Sequence, residues 1–322
     1  MARAMTFAFD AYVTAAAFDA GQAAFALGDG TVRWEDATSV TAHDGAILAV
    51  AVHPAGEGLI TGGDDGRLAW ARPGGVVTLA EAAGRWVEAV AASPASGLVG
   101  YGAGREAHVL DVKDASFRRV FTHETSVAAL AFEPKGRRLA TATYGGAALW
   151  YARIAEQKPV MLRWAGSHVG LAWSPDGRFL ISAMQENALH GWRLSDARDM
   201  RMGGYPAKIR SLAFLEDGLW LATAGANGVV LWPFQGANGP MGKQATEIGF
   251  DEAALVTQVA ADGEALAAGL DDGRVWAANL KTQAIDTLKA EKGPPITALA
   301  IQGRRVAWGD EDGGAGVAEA KV

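Results

Sequence analysis

The chain has 322 residues, is 50% hydrophobic and 20% charged, and sets 41 glycines against 11 prolines, which fits a globular β protein rich in tight turns and excludes bulk disorder. Its net charge of −7 offers no basic stripe for phosphates, so nucleic acid is not an expected partner. With no cysteine, disulfides, thiolate metal sites and thiol catalysis are excluded.

The segment Met1 to Asp10 lacks the apolar stretch of a signal peptide, and no uncharged apolar run of about 18 residues follows anywhere, so a soluble, cytoplasmic protein without a membrane partner is expected. Within it, Met5-Thr-Phe-Ala-Phe9 alternates as a strand does. A unit then recurs in which a short apolar run ends in a Gly-rich or Asp-Gly turn and a second run closes, usually on Trp. The closing positions are Trp34, Trp70, Leu110, Trp150, Trp192, Trp232, Trp276 and Val317, at steps of 36 to 44 residues. A period of that length is that of a propeller blade, and repeats sharing one core make a single domain over 1–322.

The first unit, Val13 to Trp34, is degenerate. The second is the clearest: Ala46-Ile-Leu-Ala-Val-Ala-Val-His-Pro54 leads into Gly58-Leu-Ile-Thr-Gly-Gly-Asp-Asp-Gly-Arg-Leu-Ala-Trp70. The third runs from Val87 to Leu110. In the fourth, residues 127–132 and 138–143 alternate, Tyr144-Gly-Gly146 turns and 147–150 closes, which reads as an antiparallel meander. The fifth carries Ser174-Pro-Asp-Gly177, suited to a type I turn. The sixth spans Ile209 to Trp232 and the seventh Val256 to Trp276, with a surface loop at 236–243 between them. After the eighth, Ile296 to Val317, only five residues remain for an outer strand. The N-terminal strand is therefore expected to supply it and close the ring, because an open array would expose a long unpaired sheet edge.

The second unit resembles the WD40-repeat family almost position for position, and the chain as a whole is similar to WD40 proteins. The resemblance implies an all-β propeller, expected here with eight four-stranded blades and with seven as the second choice. It also implies a structural tetrad of His43, Thr61, Asp65 and Trp70, each member satisfying a buried polar group. Partial sets follow: His123, Thr141 and Trp150; His168, Ser182, Glu186 and Trp192; Thr223, Asn227 and Trp232. In units one, seven and eight, aromatic packing is expected to replace the polar network.

In this fold the loops entering the inner strands share one face of the disc with the turns between second and third strands. Arg85, Trp86, Tyr144, Arg163, Trp164, Tyr205, Lys208 and Arg210 are expected there, beside acidic Asp44, Glu124 and Asp251. Trp, Tyr and Arg dominate binding hot spots, so the face is a candidate partner surface, against the plainer reading that Trp86 and Trp164 only cover blade ends. No compact His spacing suggests a metal, and Asp64, Glu186, Asp271 and Asp310 sit where turns use carboxylates for backbone reasons. Residues 237–243 end like a phosphate-binding loop but lack its first Gly, its Ser or Thr and a following helix, and 100–104 is a loop between strands. The family implies a non-enzymatic, monomeric scaffold for a protein or peptide partner, without cofactor or metal. The alternative is a channel-centred small-ligand binder or lactonase-like, metal-dependent hydrolase. Ala-, Gly- and Trp-rich usage without Cys suggests a bacterial source.

Overall fold

The computed structural model describes residues 4–322. The alternating runs form antiparallel strands, and consecutive strands pair as meanders whose turns hold the Gly and Asp residues. The second strand of each meander, such as Gln22–Leu27, Leu98–Ala103 or Ala265–Leu270, is buried almost throughout. These strands are built from Ala, Gly and small aliphatics because both of their faces meet neighbouring sheets. A Cβ at Gly62 would stand 2.4 Å from the Val87 carbonyl oxygen, and one at Gly309 would stand 2.4 Å from Val13. Apolar clusters fill the spaces between successive sheets. One joins Val13, Phe25 and Leu27 to Ala307, Ala315 and Val317, and so packs the last unit against the first. No helix of the described residues is long and apolar enough to cross a membrane.

The propeller is assembled from seven hydrogen-bonded sheets, six of four strands and one of six. The blades number seven, the second choice of the sequence reading, which corrects the expectation of eight four-stranded blades. The reason is local to the fourth and fifth units, where Arg138–Tyr151 and Val160–Trp173 run through positions that elsewhere break into turns and loops. The loop that should separate the units stays extended over 164–167, and Ser167 pairs with Tyr144 in the turn of the preceding unit. Gly145 and Gly146 hold φ of 89° and 140° where the chain turns back to bring Thr141 beside Ala148, and Gly166 holds 128° where Val160–Trp173 passes from one unit to the next. The sheets of both units are thereby joined into one.

Met5–Ala8 pairs antiparallel with Gly314–Glu319, Met5 opposite Val317 and Ala8 opposite Gly314. Phe7 and Phe9 stack at 5.9 Å and reach Phe25 at 5.6 and 5.7 Å, placing three aromatic rings at the seam. This is the aromatic substitution expected for unit one, where Phe25 occupies the place of a hydroxyl.

Candidate interaction face

The incoming loops and the turns between second and third strands are tied together all around one face. Ala82 and Val87 donate their amides to the carbonyls of Gly66 and Gly63; His123 and Val127 to Arg105 and Gly104; Asp251 to Asn227; and Glu311 to Pro295. Turn carboxylates add a second set of ties. Asp65 accepts from the Asp44 amide, Glu186 from Ser167 and Asp271 from Leu255. Asp310 accepts from the amides of Asp312 and Gly314. These acids are thus used by the backbone, as their turn positions suggest; Asp64 faces Gly45 across the same kind of junction. Among the described residues no group of three or more His, Asp or Glu is placed to hold a metal ion.

In unit two, His43 Nδ1 donates to Asp65 Oδ1 at 2.9 Å, and its Nε2 lies 2.9 Å from the Thr61 hydroxyl. Burial alone would raise the Asp65 carboxyl, but hydrogen bonds from Arg67 and His43 outweigh it and hold it well below the usual carboxylate range. Trp70 does not join this set. Thr61 is paired with Ala69 and Ile60 with Trp70, so Trp70 faces the opposite side of the sheet, donates to the Glu57 carbonyl and stacks on His53 at 4.5 Å. The Trp link is found instead in unit four, whose set looked incomplete. There the Trp150 indole donates to His123 Nε2 at 3.1 Å, and the same nitrogen lies 2.8 Å from the Thr141 hydroxyl. In unit five, His168 Nδ1 lies 2.7 Å from the Ser182 hydroxyl, while Glu186 serves the Ser167 amide.

Unit six has no His before its inner strand, and Tyr205 takes that place. The Trp232 indole donates to the Tyr205 oxygen at 2.7 Å, and Tyr205 and Thr223 share a 2.6 Å hydrogen bond. Burial pushes the phenol up to about 12. Asn227 lies outside the relay and donates to the carbonyls of Asp251, Glu252 and Ala254. Tyr205 is only 8% exposed, which corrects its assignment to the partner surface. Sequence spacing did hold the signal, since Tyr205 precedes Thr223 by the same 18 residues that separate His43 from Thr61.

Trp164 is corrected as well: it is half-buried and stacks on His190 with ring centroids 3.9 Å apart, so the packing reading holds for it. His190 itself, inward from the partner face, was not singled out by the sequence for a core role. It is wholly buried, edge-on to Trp192 at 4.9 Å, and neither ring nitrogen has a hydrogen-bond partner. Six of the eight expected face residues are exposed: Arg85, Trp86, Tyr144, Arg163, Lys208 and Arg210. Trp86 is 61% and Tyr144 68% exposed. Tyr144 and Arg163 line a cleft of about 450 Å³ with Glu124, Thr125 and Met161. Asp44 and Asp251 are paired with Arg67 and Arg274 on the same face.

A role in the core separates His43 from His53, the other buried histidine of unit two. Replacing His43 with Ala takes one buried hydrogen bond each from Thr61 and Asp65, so a loss of about 2–3 kcal/mol is expected in urea denaturation; His53→Ala removes an aromatic stack and should cost less. Equal losses would contradict the assignment of His43 to the buried network.

A family model described as "WD domain, G-beta repeat" matches residues 34–69 and 200–232, the second and sixth units. No curated protein matches the chain. Among solved structures, the chain is similar to the crystal structure of the computationally designed Ika8 protein, with 18% sequence identity, a TM-score of 0.77, and coverage of 97% of this chain and 98% of that one. At that identity the likeness speaks for the fold alone. The two matched repeats, together with the meander sheets that carry them, support a WD40 β-propeller family for this chain.

Proposed function

We propose that the protein is a non-enzymatic scaffold that binds a protein or peptide partner on the face carrying Trp86 and Tyr144, working as a cytoplasmic monomer whose residues 1–322 form one domain. The supporting observation is that these two large aromatics stand mostly in solvent on segments held by hydrogen bonds, from the Val87 amide to the Gly63 carbonyl and from the Tyr144 amide to the Thr125 hydroxyl. Such segments are already ordered, so docking costs little conformational entropy on this side, and rigid aromatics supply contact area. Arg85 and Arg163 extend the surface with guanidinium donors.

We also read the six-stranded sheet as the fourth and fifth repeat units of the sequence joined in one blade. In support, the Thr141 hydroxyl donates to the Ala148 carbonyl within Arg138–Tyr151, as Thr61 donates to Ala69 and Thr223 to Val230 between separate strands. Ala129–Phe132 and Val160–Trp173 also pack side by side, as inner strands of successive units do.

Affinity purification from the cells that make the protein tests the scaffold reading, comparing the intact chain with a Trp86→Ala, Tyr144→Ala variant. A stoichiometric protein captured by the first and at least about tenfold depleted with the second is expected. Equal capture by both, with unchanged melting temperatures, would place the binding surface elsewhere.

A further inference from the structure

We propose that the channel mouth beside the sixth unit is an anion-recognition site for an acidic, carboxylate-bearing segment of a protein partner. The proposal rests on reading the face as a partner surface and specifies the chemistry of what docks there. Lys208 and Arg210 flank Ile209, which is buried in the core between the fifth and sixth units. Ile209 is anchored inward, while Lys208 and Arg210 on either side of it stand exposed. Gly225, at φ +93°, brings the second-to-third-strand turn beneath this segment, where a Cβ would stand 3.0 Å from the Lys208 carbonyl oxygen.

The two cations differ from Arg67, Arg85 and Arg274 on the same face. Arg67 is paired with Asp44 and Asp65, Arg85 with Glu106, and Arg274 with Asp251 and Asp272. Among the described residues, neither Lys208 nor Arg210 has a carboxylate within 4.0 Å. Both line two clefts, of about 360 and 590 Å³, and Gln258 lines both as well, so the clefts meet as one trough across the mouth. Beyond the cations one arm is walled by Val169, Leu171 and Leu212, and the other ends at Asp271 and Glu311.

That arrangement selects for one class of ligand. Discrete carboxylates fit Lys208 and Arg210, the Gln258 amide can bond a peptide backbone, and an apolar side chain fits beside Leu171 and Leu212. A continuous polyanion would bring further charge onto Asp271 and Glu311 in a protein of net charge −7, so nucleic acid is disfavoured. A free small anion would use only one end of the trough.

The test uses the full chain and a fluorescein-labelled peptide of alternating Glu and Leu, followed by fluorescence polarisation, with its Gln counterpart, single-stranded DNA of equal length and inorganic phosphate as competitors. The expected result is saturable binding of the Glu peptide, weakened about tenfold or more by Lys208→Glu with Arg210→Glu and by high salt. Lys113→Glu with Lys135→Glu, both exposed and away from the trough, should leave binding unchanged. The proposal is overturned if the peptide does not bind, if the two double variants bind equally, or if DNA or phosphate competes as well as the Glu peptide. A cellular partner lost with the Trp86→Ala, Tyr144→Ala variant while the Glu peptide is ignored would keep the scaffold and remove its acidic ligand.

Discussion

Removal of residues 1–10 is expected to lower the melting temperature by on the order of 10 °C and to make the protein prone to aggregation. Two losses combine. Gly314–Glu319 loses its pairing partner and becomes an open sheet edge, with backbone groups that can template another chain. Phe7 and Phe9 are withdrawn from Phe25, and large-to-small changes at packed Phe positions typically cost about 3–5 kcal/mol when fully buried, somewhat less for half-buried rings. Differential scanning calorimetry decides it. A melting temperature within about 2 °C of the intact chain would mean that the strand adds nothing to closure, and that Val13–Asp19 against Ile296–Gln302 holds the seam unaided.

The second large effect is acid lability. Burial among Trp164 and Trp192 pushes the His190 imidazole down to about 4, against about 6.5 in an unfolded chain. Below about pH 6.5 the unfolded chain therefore takes up a proton that the folded protein refuses. This contribution is complete above about 6.5 and is lost as pH falls towards 4, a swing of roughly 3 kcal/mol. Asp199 pulls the imidazole up, whereas His168 and Arg201 add to the downward push. Burial likewise lowers His53, His108, His123 and His168, so their contributions fall in the same direction. The urea midpoint should drop steeply between pH 6.5 and 4. His190→Phe keeps the stack, removes two unpartnered ring nitrogens and should raise stability by roughly 1–2 kcal/mol at pH 7, with a larger gain at pH 5. A variant with the parent's pH slope would show that His190 is not the group responsible.

Much of the fold was legible because its determinants are local. A period near 40 residues, alternation by two and turn residues at fixed offsets each follow from what a single meander needs. What the sequence concealed depends on register or on neighbours. Trp70 and Trp150 read alike as closing residues, yet Trp70 directly follows Ala69, the residue paired with Thr61, whereas Trp150 lies two beyond Ala148, which accepts from Thr141. One residue of parity sends the two indoles to opposite faces of their sheets. Tyr205 read as surface because a phenol is common in hot spots; its hydroxyl instead reaches Thr223 as an imidazole does elsewhere. The union of units four and five was hidden for a related reason, since pairing of Ser167 with Tyr144 is tertiary and leaves no periodicity of its own.

That union bears on how the molecule comes apart. Side-chain packing and loop bonds between neighbouring sheets can be lost one contact at a time, whereas a shared backbone ladder must be opened as a row. The Tyr144–Ser167 backbone pair adds such a tie between the fourth and fifth units, so thermal opening should start at other junctions, and amides beside this pair should exchange with solvent more slowly than those at the other junctions.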